Sequence, residues 1–141
     1  MKRIILFSSL IVLLTFCNTK PLPGVQEGGE QTMQTAKTEV IYFHVTRRCA
    51  TCQAVENEAR NMVDDNYAEL AKKGVISFKS FNFDEPAGKE AAQRLGVTGQ
   101  VLLVVKGDVK KDLTAEAFMY ALSSPEKVRK ILKETIDEMM K

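Results

Sequence analysis

The chain has 141 residues, 45% of them hydrophobic, and a formal net charge of +2, which sets the expectation of one globular domain. It holds no Lys/Arg-rich run and no interleaving of basic with aromatic residues, so no nucleic-acid partner is expected. Its cysteines number only three, at positions 17, 49 and 52, too few for a disulfide-rich scaffold.

The opening segment, MKRIILFSSLIVLLTFC, sets Lys2 and Arg3 before an apolar stretch from Ile4 to Phe16 that is short for a membrane span. It reads as an export signal (residues 1–17), not an anchor helix, because the run ends early and no basic stop-transfer flank follows. Cys17 closes the run where bacterial lipoproteins carry their acylated cysteine, although Phe16 stands where a small residue is usual. Ordinary cleavage after Cys17, with Thr15 and Cys17 as the small residues of the site, is the alternative. Both readings predict an extracytoplasmic protein of the bacterial periplasm or cell envelope, anchored to the membrane by lipid if Cys17 is acylated. Residues 18–37 are rich in Gly, Pro, Gln and Thr without an apolar face and read as a flexible tether. Such a tether of about 20 residues has a root-mean-square reach of ~25 Å.

The remaining residues, 38–141, carry regular patterns. EVIYFHV, from Glu39, has β-branched and aromatic residues on both alternating faces, the pattern of a strand covered on both sides. Cys52, Val55, Ala59, Met62, Val63, Tyr67 and Leu70 recur at helical steps and predict one long amphipathic helix that Gly74 terminates. VISFKSFNFDE predicts a second strand, with a bulge where Phe81 and Phe83 break the register of Ile76 and Phe78. Pro86 to Leu95 predicts a shorter helix closed by Gly96, and VLLVV a third buried strand. Lys106-Gly107-Asp108 predicts a tight turn into an antiparallel partner, VKKDL. Thr114 is the expected cap of a short helix through Tyr120, whose AFMYA segment reads as core packing. Ser124-Pro125 should start a last helix with Val128, Ile131, Leu132, Ile136 and Met139 along one stripe. The order predicts an α/β fold: a mixed central sheet with helices on both faces.

Between the first strand and the long helix lies Arg47-Arg48-Cys49-Ala50-Thr51-Cys52. A thiolate is the reactive form of cysteine, and a helix N-terminus favours it through open backbone N–H groups and the dipole. Arg47 and Arg48 add positive charge beside Cys49, which makes Cys49 the expected nucleophile and Cys52, one turn inward, the resolving thiol. A redox pair of this kind needs no cofactor beyond its own disulfide. A static disulfide is the plain alternative. A closed zinc site is not expected, since the domain offers only Cys49, Cys52 and His44 against a usual four ligands, but two thiolates suit soft Cu(I) or As(III) as cargo for a membrane partner.

This arrangement resembles the thioredoxin-like superfamily, over about residues 38–141, and the likeness extends to FNFDEPAG and AAQRLGVTGQVLLVVKGDV. FHVTRRCATCQAVE, GVTGQVLLVVKGDVKKDL and AFMYA are similar to the exported ArsF family, labelled a nitrophenyl-compound nitroreductase subunit and associated with arsenic resistance. The resemblance implies a three-layer sandwich, thiol–disulfide exchange with a protein disulfide or dithiol, and a membrane electron carrier of the DsbD or CcdA kind as partner. The nitroreductase label finds no flavin or nicotinamide fingerprint to support it. Val101 stands where ordinary thioredoxins carry a cis-proline facing the disulfide, so a trans bond is expected there. Gly99 should let that loop approach the pair closely. Phe43 falls where thioredoxins carry a buried acid, leaving His44 and Glu56 as candidate bases.

Overall fold

In the computed structural model, residues 36–141 are described; the expected export signal, Cys17 and the expected tether up to residue 35 lie outside the described residues. The fold is built around β1 (Thr38–His44), in which Val40, Ile41, Tyr42 and Phe43 are all buried. Since successive side chains in a strand point to opposite faces, four buried in a row require cover on both sides. β1 pairs in parallel with β2 (Ile76–Asn82) and antiparallel with β3 (Val101–Lys106). β4 (Val109–Asp112) completes a sheet of order β2-β1-β3-β4.

Val40 and Tyr42 face a core shared with Leu102, Val104 and the helices α1 (Ala50–Asn66), α4 (Thr114–Tyr120) and α5 (Pro125–Met140). Ile41 and Phe43, with Leu103 and Val105, face α3 (Pro86–Leu95) through Ala91 and Ala92. The result is a thioredoxin-like three-layer α/β sandwich with a mixed central sheet and helices on both faces. No helix among the described residues is long and apolar enough to cross a membrane.

Four local expectations are corrected. The long helix breaks at Tyr67 (φ −130°, ψ 20°) and resumes as α2 (Ala68–Lys72) before Gly74 turns the chain at φ 73°. Tyr67 is buried, and its hydroxyl donates to Asp137 of α5 at 2.6 Å, a tertiary anchor to which helical periodicity is blind. β2 holds no bulge: it pairs with β1 in unbroken register from Thr38↔Ile76 to His44↔Asn82. Ile76 and Phe78 pack on the α1 side, and Phe81 and Phe83 on the α3 side, so the switch in phase is a switch of buried face. Thr114 is the first helical residue of α4, not its cap; its N–H is accepted by Asp112 at 2.9 Å, while its hydroxyl accepts from Leu102 N–H at 3.0 Å. In AFMYA, Ala117 and Ala121 are core residues and the half-buried Phe118 and Tyr120 pack against the core as expected, so only Met119, 65% exposed, departs from core packing. Ser124 does stand at the N-cap of α5, without a side-chain hydrogen bond, and Pro125 follows it at N1.

Gly88, in the first turn of α3, allows that helix to press against the end of β2. A Cβ there would lie 1.8 Å from the Asn82 carbonyl oxygen, so any side chain forces the two apart. Gly99 differs: it has open space around the same position and no left-handed φ. Gly88→Ala should therefore lower unfolding free energy by about 2 kcal/mol or more in urea denaturation, whereas Gly99→Ala should leave the midpoint nearly unchanged.

Candidate active site

β1 ends at His44, and a short loop carries the chain across the sheet edge into α1, whose N-cap is Cys49. Its backbone is extended (φ −87°, ψ 169°), which turns the side chain back over the first turn. Cys52 N–H donates to Cys49 Sγ at 3.4 Å, so sulfur takes the place of the oxygen that usually caps a helix. The two Sγ atoms are 2.8 Å apart and both cysteines are free thiols. Cys49 is exposed and Cys52 is 5% exposed. The Cys52 thiol, followed by the backbone N–H groups of the first turn, holds the Cys49 pKa below its ordinary value. The environment therefore makes two unlike thiols, one ionisable at the surface and one buried behind it.

The arginines act differently from the expectation. Arg48 forms an ion pair with Glu56 of α1, donates to the Cys52 carbonyl at 3.4 Å, and lies 5.9 Å from the centre of the Tyr42 ring. Its role is to clamp the entry loop to the helix. Arg47 is exposed and forms no ion pair among the described residues, and the lowered Cys49 pKa is owed first to its partner thiol and then to the N–H groups of the helix turn. Glu56 is held by Arg48 and by Arg60 at 3.1 Å, and Arg60 stacks on Phe78 at 4.7 Å. Burial pushes the Glu56 carboxyl up, but the polar groups around it outweigh burial and leave its pKa below the usual carboxylate range. Ser80 lies in the same cluster without a hydrogen bond of good geometry, so the two arginines are the stronger cause. A carboxylate so engaged is a poor proton acceptor at neutral pH, which removes Glu56 as a candidate base. His44 is partly buried; its Nδ1 is 3.0 Å from the Val45 carbonyl, and it bonds to neither cysteine among the described residues.

The loop before β3 also differs. No cis peptide bond occurs among the described residues, and Val101 begins β3 opposite Phe43 with its side chain in the α3-side core. Val101 therefore turns away from the cysteines. The residue that meets them is Gln100, whose Oε1 accepts from the Cys52 thiol at 3.3 Å. With open space at its Cβ position, Gly99 is not what permits this approach.

Phe43 also faces the α3 side, stacked on Phe81 with ring centres 5.4 Å apart. The polar residue on the cysteine side of β1 is its neighbour Tyr42, wholly buried, with its hydroxyl directed at Cys52 and Arg48. Tyr42 and Gln100 are thus site residues that sequence reasoning missed. Strand alternation carries the signal for Tyr42, because it shares a face with Val40 and His44 and so must lie under α1.

No protein-family model matches the chain, and no match is found among curated proteins. What the structure defines is an α/β domain of thioredoxin-like architecture with a Cys49-Ala50-Thr51-Cys52 dithiol at a strand-to-helix turn, Cys49 exposed and Cys52 buried.

The charge cluster predicts a pH signature. The Glu56 pKa is depressed on folding, so its stabilisation is complete above the unfolded value near ~4.3 and is lost as pH falls through the folded value. Glu56→Gln should cost about 2 kcal/mol of stability at neutral pH. Urea titrations should show that difference shrinking below about pH 4, whereas a constant difference would rule out the ion pairs as its source.

Proposed function

We propose that the protein is an exported thiol–disulfide oxidoreductase in which Cys49 attacks and Cys52 resolves. The observation that carries this reading is the asymmetry of the pair: an exposed thiol of lowered pKa whose sulfur lies 2.8 Å from that of a buried one. Cys49 as thiolate attacks one sulfur of a substrate disulfide and forms a mixed disulfide, which Cys52 then cleaves by bonding to Cys49. The reaction uses only the protein's own redox-active disulfide, with a protein disulfide or dithiol as substrate.

The resemblance to the ArsF family supports a place in an envelope redox or arsenic-resistance pathway, with Cys17 as lipid anchor and a DsbD- or CcdA-type membrane carrier supplying electrons. The same two thiols have the softness to hold Cu(I) or As(III), as a carrier for a membrane partner would.

Equilibration in glutathione or dithiothreitol buffers with thiol trapping separates these readings. An exchange protein should show a potential above about −300 mV. It should also accumulate a mixed disulfide in Cys52→Ser but not in Cys49→Ser. A far lower potential without an adduct would identify a structural disulfide, and stoichiometric As(III) or Cu(I) binding without disulfide turnover would identify a carrier.

A further inference from the structure

The Tyr42 hydroxyl and the Arg48 Nε–H are the buried polar groups left without a partner beside Cys52. The Tyr42 side chain is fully buried in β1 beneath α1, and its oxygen has no hydrogen-bond partner of good geometry. A buried hydroxyl left in that state is destabilising. The groups beside it are Cys52 and Arg48; the Arg48 Nη2 is held by Glu56 and the Cys52 carbonyl, while its Nε–H is unpartnered. In the reduced protein the Cys52 thiol is a donor, lying 2.8 Å from Cys49 Sγ and 3.3 Å from Gln100 Oε1. Once Cys52 gives up its proton it becomes acceptor-only. Gln100 Oε1 then has nothing to receive, and a buried sulfur anion needs a donor. Tyr42 holds one unused.

We propose that Tyr42 donates its O–H to the Cys52 thiolate and stabilises that anion during the resolving step. For its use in turnover the proposal rests on the exchange reading given above. In that step the Cys49 thiolate has already formed a bond to one sulfur of RSSR, and the first RS⁻ has left and taken a proton from water. Cys52 then releases its proton to water, and its thiolate bonds to Cys49 Sγ as the bond from Cys49 to the second RS sulfur breaks. That second RS⁻ also takes a proton, and two electrons have passed from protein to substrate. Tyr42 stays protonated throughout, acting only as a donor. Burial, and then the neighbouring Cys52 charge, push the phenol pKa well above its ordinary value, which keeps the proton on oxygen.

The ionisable groups around Cys52 are few. Cys49 and Glu56 approach from α1, Arg48 from the entry loop, and Tyr42 with His44 behind it from β1, the two rings 6.0 Å apart. Glu56 is neutralised by its arginines, and Gln100 is uncharged.

Single-turnover reaction of the reduced full chain, carrying Cys17→Ser so that only the pair reacts, with Ellman's reagent tests this. Cys49 releases the first thionitrobenzoate and Cys52 the second, so the two steps are timed apart. Tyr42→Phe should leave the first phase unchanged, slow the second about tenfold, the size of one charge-assisted hydrogen bond, and move its pH midpoint upward. An unchanged second phase in a variant with wild-type melting overturns the proposal. If Tyr42→Phe does not fold, the hydroxyl-bearing ring carbon of ¹³C-labelled Tyr42 serves instead. Its resonance should move when the disulfide forms in wild type and when Cys52 ionises in Cys49→Ser; a resonance that ignores both overturns the proposal. Absence of the first phase counts against the exchange reading, and the Tyr42 resonance still decides the role proposed here.

Discussion

The structure depends on β1 being covered on both faces. A strand with Val40, Ile41, Tyr42 and Phe43 all buried is held by a parallel neighbour on one edge and an antiparallel one on the other, with helical layers above and below. Parallel pairing of β1 with β2 requires a crossover, and α1 is the helix that makes it, so the chain leaving His44 must enter α1 at the strand's C-terminal end. There the first helical N–H groups are open. Cys49 occupies the cap, and its lowered pKa follows from the Cys52 thiol and then from the N–H groups at that position.

Two environments then divide the labour between identical side chains. Cys49 sits in solvent with its sulfur accepting from the first turn, while Cys52 lies within a polar lining of Tyr42, Gln100 and the Arg48 backbone clamp. The Arg48–Glu56–Arg60 chain runs along α1 from the partly buried Arg48 out to the exposed Arg60, which lies over Phe78 of β2, and it ties the entry loop, the helix and the sheet to one another. Arg48 thus serves the site by fixing geometry. The second tie, from Tyr67 to Asp137 and from Glu58 to Arg129, fastens the same helical region to α5. α1 is therefore held at both ends, which keeps the spacing of the two sulfurs set by the fold.

The layered architecture was legible because burial on both faces of β1 and β3, and the helical stripes of α1 and α5, are written in local periodicity. The dithiol was legible for the same reason, since its residues are adjacent in sequence. What stayed hidden depends on parity and on partners far along the chain. Counting back from Cys49 leads to Phe43, but alternation puts Phe43 against α3 and Tyr42 against the cysteines. The same parity turns Val101 away and leaves Gln100 at Cys52, a contact spanning 48 residues. Arg48 looked like a free cation because Glu56, on the next turn but one from its loop, shows no sign in sequence of folding back to it. Gly88 read as an ordinary helical residue, since the constraint on it is a carbonyl from β2.

The fold holds Cys49 as the reachable thiol of lowered pKa and Cys52 as its shielded partner. Timed alkylation of the reduced protein with iodoacetamide at neutral pH, with the modified positions located by fragment mass spectrometry, tests it most directly. The account predicts that Cys49 is modified first and far faster, with Cys52 protected until the protein unfolds. Equal rates at the two positions, or faster modification of Cys52, would contradict it.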